Sequence, residues 1–439
     1  MTPTMLALPL PLVALATLPA AAGGLGFTAP VRVAPARGPG EHPTYAASFY
    51  TLRGSVMIGQ SGANARLYAS TDGSRSWAAW LDGKLGGGTG GTLLAAPGHP
   101  AELHSMGADP STGSHDGWLL NGSARSTFVG SGNVTVFGAA AGGEPSRRFV
   151  SQHTSFASLP VPLACRGADC FWTSGAGTVR LPDGTYLQTT VIPWLGGEFG
   201  AQASASGVHA WSSNDTFAWS FVGTVATAAQ FPDSGEGPNE NSLSLAADGR
   251  TVVCVMRLDG GDGLRWGDHR TKNYHLARST SGGRSWSKAT ELRDANGHGV
   301  GTARPRLLLL GSKLLLSGGR LTTEQQGGIF LWISDDGFGR SWRTTCLSFK
   351  HNQLESDPAL RFPDTCNTTL DLPGCVSKGK PWPDCPKDKS KLGCPHHFKN
   401  CSSTGYTSLL PAGDDAVVVY DGPPGIFAMR VSLADEDVQ

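Results

Sequence analysis

Four side chains, far apart in the chain, are of types suited to work on an anionic ligand: Glu240, Arg257, Arg320 and Tyr406. An arginine guanidinium is a planar fork of donors that matches a carboxylate in pairs. A glutamate carboxylate can take or give a proton at a reacting centre. A tyrosine hydroxyl can donate, accept or, once deprotonated, attack. Taken singly, each is also an ordinary surface charge or core aromatic. The elements that carry them therefore decide whether they form a site.

Residues 239–286 hold the pattern of those elements. Leu243 and Leu245 alternate with serines, as in a half-buried strand. Asp248-Gly249 reads as a hairpin turn, and the β-branched run up to Met256 as the returning strand. A third strand covers Tyr274 to Arg278, and the turn STSGGRSW, ending at Trp286, leads into a fourth. That turn recurs as STDGSRSW from Ser70, as SDDGFGRSW from Ser334, and as SSNDTFAW from Ser212, with Asn214 at the Asp position. In the shared pattern S-x-D-x-G-x-x-W, the acid or amide bonds the N–H groups of its own turn. Gly supplies the unusual dihedral, and Trp pins the turn to the core. Each copy follows a strand: ARLYA, GVHAW, YHLAR or IFLWI. Four such copies resemble the Asp box of the sialidase (neuraminidase) superfamily, in which the box is structural.

The strand pattern is that of an all-β chain, a six-bladed β-propeller with Asp-box turns and a Cys-rich insertion. Blade 1 is expected at 45–52, 55–60 and 65–69; blade 2 at 91–95, 101–106 and within 118–138; blade 3 at 178–181, 186–192 and 208–211. Blade 4 is the stretch described above. Blade 5 takes 306–310, 314–317 and 329–333, and blade 6 takes 406–410, 416–420 and 426–431. Blade 6 lacks a fourth strand, and 27–34 (FTAPVRVA) is expected to supply it. Antiparallel order puts the boxes on one face. On the other face it gathers the starts of first strands and the ends of second strands. Glu240, Arg257, Arg320 and Tyr406 fall on that second face, near the axis, where binding sites are concave.

The same four match segments of the sialidase family. GPNENSLSLAADGRTVVCVMR resembles the part carrying the family's Glu and second arginine, and LLLSGGR the part carrying its third. GYTSLLPAGDDAVVVYDG resembles its Tyr-Ser-x-Leu segment. The resemblance implies an exo-α-sialidase. Tyr406 is then the nucleophile, Glu240 the base that takes its proton, and Arg257 and Arg320 the holders of the sugar carboxylate. A neutral Tyr suits a centre where a carboxylate nucleophile would be repelled. Arg304 and Arg306 are rivals for the place of Arg320. Two parts of the family pattern are absent. Ala46 stands where the first arginine belongs, and the short loop at 61–64 has no acid in place of the family's acid/base Asp. Asp109, Asp116 and Asp169 lie in loops of the same face, with no motif to select one. The alternative function is a non-catalytic glycan-binding Asp-box propeller, or a glycosidase for another acidic sugar.

Bulk properties agree with a glycan partner. Formal net charge is +0 and charged residues are 16 % of the 439, which argues against a nucleic-acid partner. No cofactor is implied. Residues 1–22 read as a signal peptide, with a short apolar run and small residues at 20–22, and the propeller spans 26–439. No segment of the mature chain is a transmembrane candidate. Five N-x-S/T sequons, at Asn121, Asn133, Asn214, Asn367 and Asn400, point to a secreted or lumenal glycoprotein. Six of the nine cysteines (Cys346, Cys366, Cys375, Cys385, Cys394 and Cys401) crowd into 346–401, read as a disulfide-rich insertion between blades 5 and 6. His396 and His397 give the stretch zinc-like ligand types, but the even cysteine count favours bridges. Cys254, alone in a strand, reads as a buried thiol.

Overall fold

The computed structural model describes residues 25–35, 45–52, 55–61, 67–70, 72–80, 92–96, 99–106, 129–139, 145–157, 171–174, 178–194, 207–215, 218–232, 234, 237–258, 273–301, 303–319, 329–362, 407–422 and 424–433. Nearly all of it is antiparallel sheet. The chain opens with β1 (Leu25–Phe27) and β2 (Val31–Pro35). A four-stranded sheet follows: β3 (Tyr45–Leu52), β4 (Ser55–Ser61), β5 (Leu67–Ser70) and β6 (Ala78–Trp80). Next come β7 (Thr92–Ala96), β8 (His99–Met106), β9 (Val129–Ala139) and β10 (Pro145–Ala157), then β11 (Phe171–Ser174), β12 (Val179–Arg180), β13 (Tyr186–Trp194), β14 (Gly207–Ser213) and β15 (Ala218–Thr227). Two further four-stranded sheets comprise β16 (Asn241–Leu245), β17 (Val252–Met256), β18 (His275–Ser279) and β19 (Thr290–Glu291), and β20 (Arg306–Leu310), β21 (Lys313–Gly319), β22 (Ile329–Ser334) and β23 (Arg343–Cys346). After helix α1 (Leu347–Leu354), the last sheet has β24 (Thr407–Ala412), β25 (Asp415–Gly422) and β26 (Gly425–Leu433).

The expected loan of N-terminal strand to the last sheet is present. Phe27 pairs with Val431, Val31 with Ala428 and Ala34 with Ile426, all antiparallel. First strands of successive sheets lie side by side: β3 by β7 and β8, β13 by β16, β16 by β20, β20 by β24, and β24 again by β3. No sheet closes on itself among the described residues.

Strands between two neighbours are buried on both faces, so their sequences run apolar without a break. In β17, Val253 and Val255 pack with Trp332 and Leu316 on one side. Val252, Cys254 and Met256 pack with Leu187 and Val208 on the other. Cys254 is buried and free, as expected. The half-buried reading of β16 is corrected by the same fact: Ser242 and Ser244 are as enclosed as Leu243. Ser242 is tolerated there because its Oγ accepts the backbone N–H of Leu307, 3.0 Å away.

The boxes form as their residues dictate, with one correction. Asp72 Oδ1 accepts the N–H groups of Arg75 and Ser76, both at 2.9 Å, and Ser76 Oγ donates to Oδ2 at 2.6 Å. Gly73 has φ +70°, which an L side chain rarely adopts. In the copy at 212–219 the acid is Asp215, not Asn214: it accepts from Ser213 Oγ at 3.0 Å and from Ala218 N–H at 2.8 Å. The turn there is one residue tighter, which moves the working acid one position along. Two arginines tie third strands to the box of the next sheet. Arg278 donates to the carbonyls of Phe338 and Gly339, both at 2.9 Å, and Arg430 to that of Gly73 at 2.8 Å.

One other expectation changes. Blades 2 and 3 are not separate sheets, because β10 pairs parallel with β15 (Ser155 with Ala218) and joins them into one sheet of nine strands. The insertion opens with helix α1, packed on the last sheet. Cys346, the last residue of β23, is buried and disulfide-bonded. Leu347 and Phe362 enter the apolar core of the last sheet. His351 Nδ1 meets the Tyr420 hydroxyl at 2.9 Å, and its Nε2 meets the Leu360 carbonyl at 2.9 Å. Residues 1–22 and 363–406, with the other five cysteines of the insertion, lie outside the described residues. Among the described residues, no helix is long and apolar enough to cross a membrane.

Candidate functional site

The site is built on the hairpin of β16 and β17. Asp248 in its turn accepts N–H from Arg250 at 2.9 Å and Thr251 at 2.8 Å, and Gly249 takes φ +65°. This fixes the register, with Asn241 opposite Met256. One step further the ladder continues: Arg257 N–H donates to the Glu240 carbonyl at 2.8 Å, and Asn239 N–H to that of Arg257 at 3.0 Å. Glu240 and Arg257, seventeen residues apart in the chain, are thereby cross-strand neighbours.

Their side chains meet. Arg257 Nη1 donates to Glu240 Oε2 at 2.5 Å. The arginine side chain is 2 % exposed and the glutamate 24 %. The guanidinium thus lies beneath the carboxylate, which carries the open face of the pair. Buried charges persist only when paired and hydrogen-bonded, and Glu240 supplies that partner to Arg257 Nη1. Around it, Asn239 Oδ1 accepts Glu240 N–H at 2.6 Å, and Asn239 Nδ2 donates to the Leu258 carbonyl at 3.0 Å. Asn241 donates to the Asn239 carbonyl at 3.0 Å and accepts from the Thr189 hydroxyl on β13. These amides hold the strand start where the carboxylate must stand.

Neighbouring first strands are stitched together at the same end. Arg306 Nε donates to the Thr407 carbonyl at 3.1 Å, and Ser317 Oγ meets Thr407 Oγ1 at 2.6 Å. Arg306 is therefore engaged by β24. Thr407 is the chain neighbour of Tyr406, and Gly319 of Arg320, but Tyr406 and Arg320 themselves lie outside the described residues. So do Asp109, Asp116 and Asp169. Of Ala46, on β3, only the backbone is described. The residues that the sequence reading passed over are Asn239, Asn241 and Thr189. The signal for the asparagines was their spacing around Glu240 in NENS. Among the described residues, no cluster of His, Cys, Asp or Glu could hold a metal ion.

No protein-family model matches the chain, and no curated protein matches it by sequence. Solved structures do resemble it in fold. The α-L-arabinofuranosidase Arb93A of Fusarium graminearum matches at TM-score 0.51 and 11 % identity, over 93 % of this chain and 99 % of that one. A Dyadobacter fermentans protein of unknown function matches at TM-score 0.49 and 15 % identity, over 95 % and 100 %. Trypanosoma rangeli sialidase in complex with the inhibitor DANA matches at TM-score 0.48 and 12 % identity, over 94 % of this chain. The chain spans 60 % of that sialidase's length.

Proposed function

We propose that the chain is a secreted or lumenal glycoside hydrolase of sialidase type, a six-bladed propeller that removes terminal acidic sugars from glycans. The observation that carries this reading is the Glu240–Arg257 pair at the head of the β16–β17 ladder. It pairs a carboxylate open to solvent with a guanidinium beneath it, at the strand ends where the sequence pattern gathers Arg320 and Tyr406. The return of first-strand neighbours from β24 to β3 supports the closed ring, and the likeness to Arb93A supports the fold.

In the proposed reaction, Tyr406 attacks the anomeric carbon while Glu240 takes its phenolic proton. Asn239 and Asn241 position Glu240. Arg257 neutralises the carboxylate from below, and with Arg320 supplies the positive charge that an anionic sugar meets. Incubating the purified chain with a fluorogenic sialoside, from acidic to neutral pH, tests the reading. Release of free sialic acid supports it, and no release at any pH rejects it.

A second reading is favoured by two features: Ala46 in place of an arginine, and Arg257 engaged by Glu240. A site with fewer free arginines suits a different acidic sugar, either hydrolysed or only bound. A glycan array, followed by product analysis, separates these outcomes: cleavage of a uronic-acid glycoside alone, or retention of a sialylated glycan left intact.

A further inference from the structure

The charges of Glu240 and Arg257 cancel within their pair, so an anionic sugar needs further positive charge at this end of the strands. We infer that Arg304 supplies it, as a binding residue for the carboxylate of an acidic sugar. The inference rests on the acidic-glycan reading above.

Arg304 holds in the β20–β23 sheet the place that Glu240 holds in its own. Both places can be counted from the boxes. Val252 stands opposite Ser279, the first residue of one box, and Leu314 opposite Ser334, the first of another. Arg257 lies five residues beyond Val252, and Gly319 five beyond Leu314. At that step each carbonyl accepts an N–H from the start of the first strand. Asn239 donates to Arg257 at 3.0 Å, and Ala303 to Gly319 at 3.3 Å. Glu240 follows Asn239 as Arg304 follows Ala303.

The two first strands lie side by side and run the same way. At their starts, Leu307 N–H donates to Ser242 Oγ at 3.0 Å. At their ends, Ala247 N–H donates to the Gly337 carbonyl at 3.0 Å, and a side chain at Gly337 would collide with the backbone of Ser312, just past β20. Glu240 and Arg304 are therefore at one end of adjacent strands. Alternation then sets the side. Glu240 has the parity of Ser242 and turns toward β20. Leu307 joins Val253 and Val255 in the core shared with β16–β19. Leu310 joins Phe427 and Met429 of the last sheet, and Arg306 reaches the Thr407 carbonyl on that side at 3.1 Å. Arg304 has the parity of Arg306 and leaves β20 toward β24. The order at this end is thus β16, Glu240, β20, Arg304, β24. Arg304 is half-buried, whereas Arg257 is sealed at 2 % exposure.

The chemistry of the group suits the place. A guanidinium offers a planar pair of N–H donors that a carboxylate accepts in parallel, and it stays charged at every working pH. A sugar carboxylate held at Arg304 is kept one strand away from Glu240, whose like charge repels it. A neutral sugar gains nothing from this contact. Arg304 is therefore a determinant of specificity, selecting acidic sugars from neutral ones.

The test is calorimetric titration of the full chain with the methyl thioglycosides of sialic acid and glucuronic acid, each as carboxylate and as carboxamide. The sulfur linkage resists hydrolysis, so binding is read without turnover. The wild type should bind at least one carboxylate about tenfold or more tighter than its carboxamide. Arg304→Gln should remove that preference, weakening the carboxylate by about ten- to a hundredfold and the carboxamide by less than about threefold. Arg304→Lys keeps the charge and loses the fork, and should fall between. A preference kept in Arg304→Gln, or an equal loss on both forms, overturns the inference and leaves the acidic-glycan reading standing. So does failure of both variants to fold, which would assign the guanidinium to the fold. A wild type that binds none of the four, or all alike, rejects that reading as well.

Discussion

Tyr406→Phe removes one oxygen and keeps the ring, so it should abolish hydrolysis and leave the circular dichroism spectrum and melting temperature unchanged. Activity within a few-fold of wild type would remove Tyr406 from the mechanism. Glu240 needs a subtler pair of variants. Glu240→Gln keeps an acceptor for Arg257 but no base, and should reduce kcat by about 10²–10⁴ with little effect on stability. Glu240→Ala also leaves a guanidinium at 2 % exposure without its carboxylate. It should cost a further 3–5 kcal/mol or so of stability, read from denaturant unfolding. Equal stability of the two variants would mean that an acceptor at position 240 contributes nothing to the fold. Glu240 and Arg257 were legible in the sequence because a Gly turn and two short runs fixed their strand phases. Thr189 was not: its bond to Asn241 joins residues 52 apart, and neither segment marks that contact.

The elements offer tests that do not depend on activity. In the first box, the Ser76 hydroxyl donating to Asp72 is the main cause holding that carboxyl down at about 2, against 3.8 when unfolded. A depressed acid contributes stability above its unfolded value and loses that contribution as pH falls toward its folded value. Between pH 4 and 2 the wild type should therefore lose stability more steeply than Asp72→Asn, and parallel acid titrations of the two melts would read this. His351 follows the same sign by a different cause. Its burial between Tyr420 and Leu360, chiefly desolvation, pushes its imidazole below 6.5. Glu355, nearby, acts in the opposite direction. The unfolded chain thus takes up a proton that the fold refuses, and stability should drop as pH falls below 6.5. His351→Gln should flatten that slope; an unchanged slope would remove His351 as its source. Strands and boxes were legible because alternation and Gly positions are local signals. The parallel β10–β15 pairing was not, since strand-to-strand choice at that range leaves no mark in either segment. Asn214 and Asp215 are adjacent and equally able to cap a turn, so only the backbone decided between them.

On the scale of the whole molecule, the insertion makes one prediction. Mass spectrometry of the unreduced protein should find Cys346, Cys366, Cys375, Cys385, Cys394 and Cys401 bridged among themselves, with Cys254 alone as thiol in this comparison. Free thiols within that set would reject a disulfide-rich insertion. Deleting residues 25–35 should bare the edge of β26, which unprotected edges turn into a site for association. Light scattering should then report oligomers where the intact chain gives a single species.

The pairing of Phe27 with Val431 also sets an order of events in time. Synthesis proceeds from the N-terminus at about 5–20 residues per second. The earliest strands therefore wait for some four hundred residues before their partner exists. Neither can find a native mate in the meantime, and contacts this distant in sequence form slowly. The interior sheets can assemble as they emerge, but the first and last sheets, bound to each other through Arg430 and Gly73, cannot lock until the end. A nascent chain stalled short of residue 425 should thus be open to proteases at residues 25–35 and protected around β17, and release of the full chain should close that window in a single step.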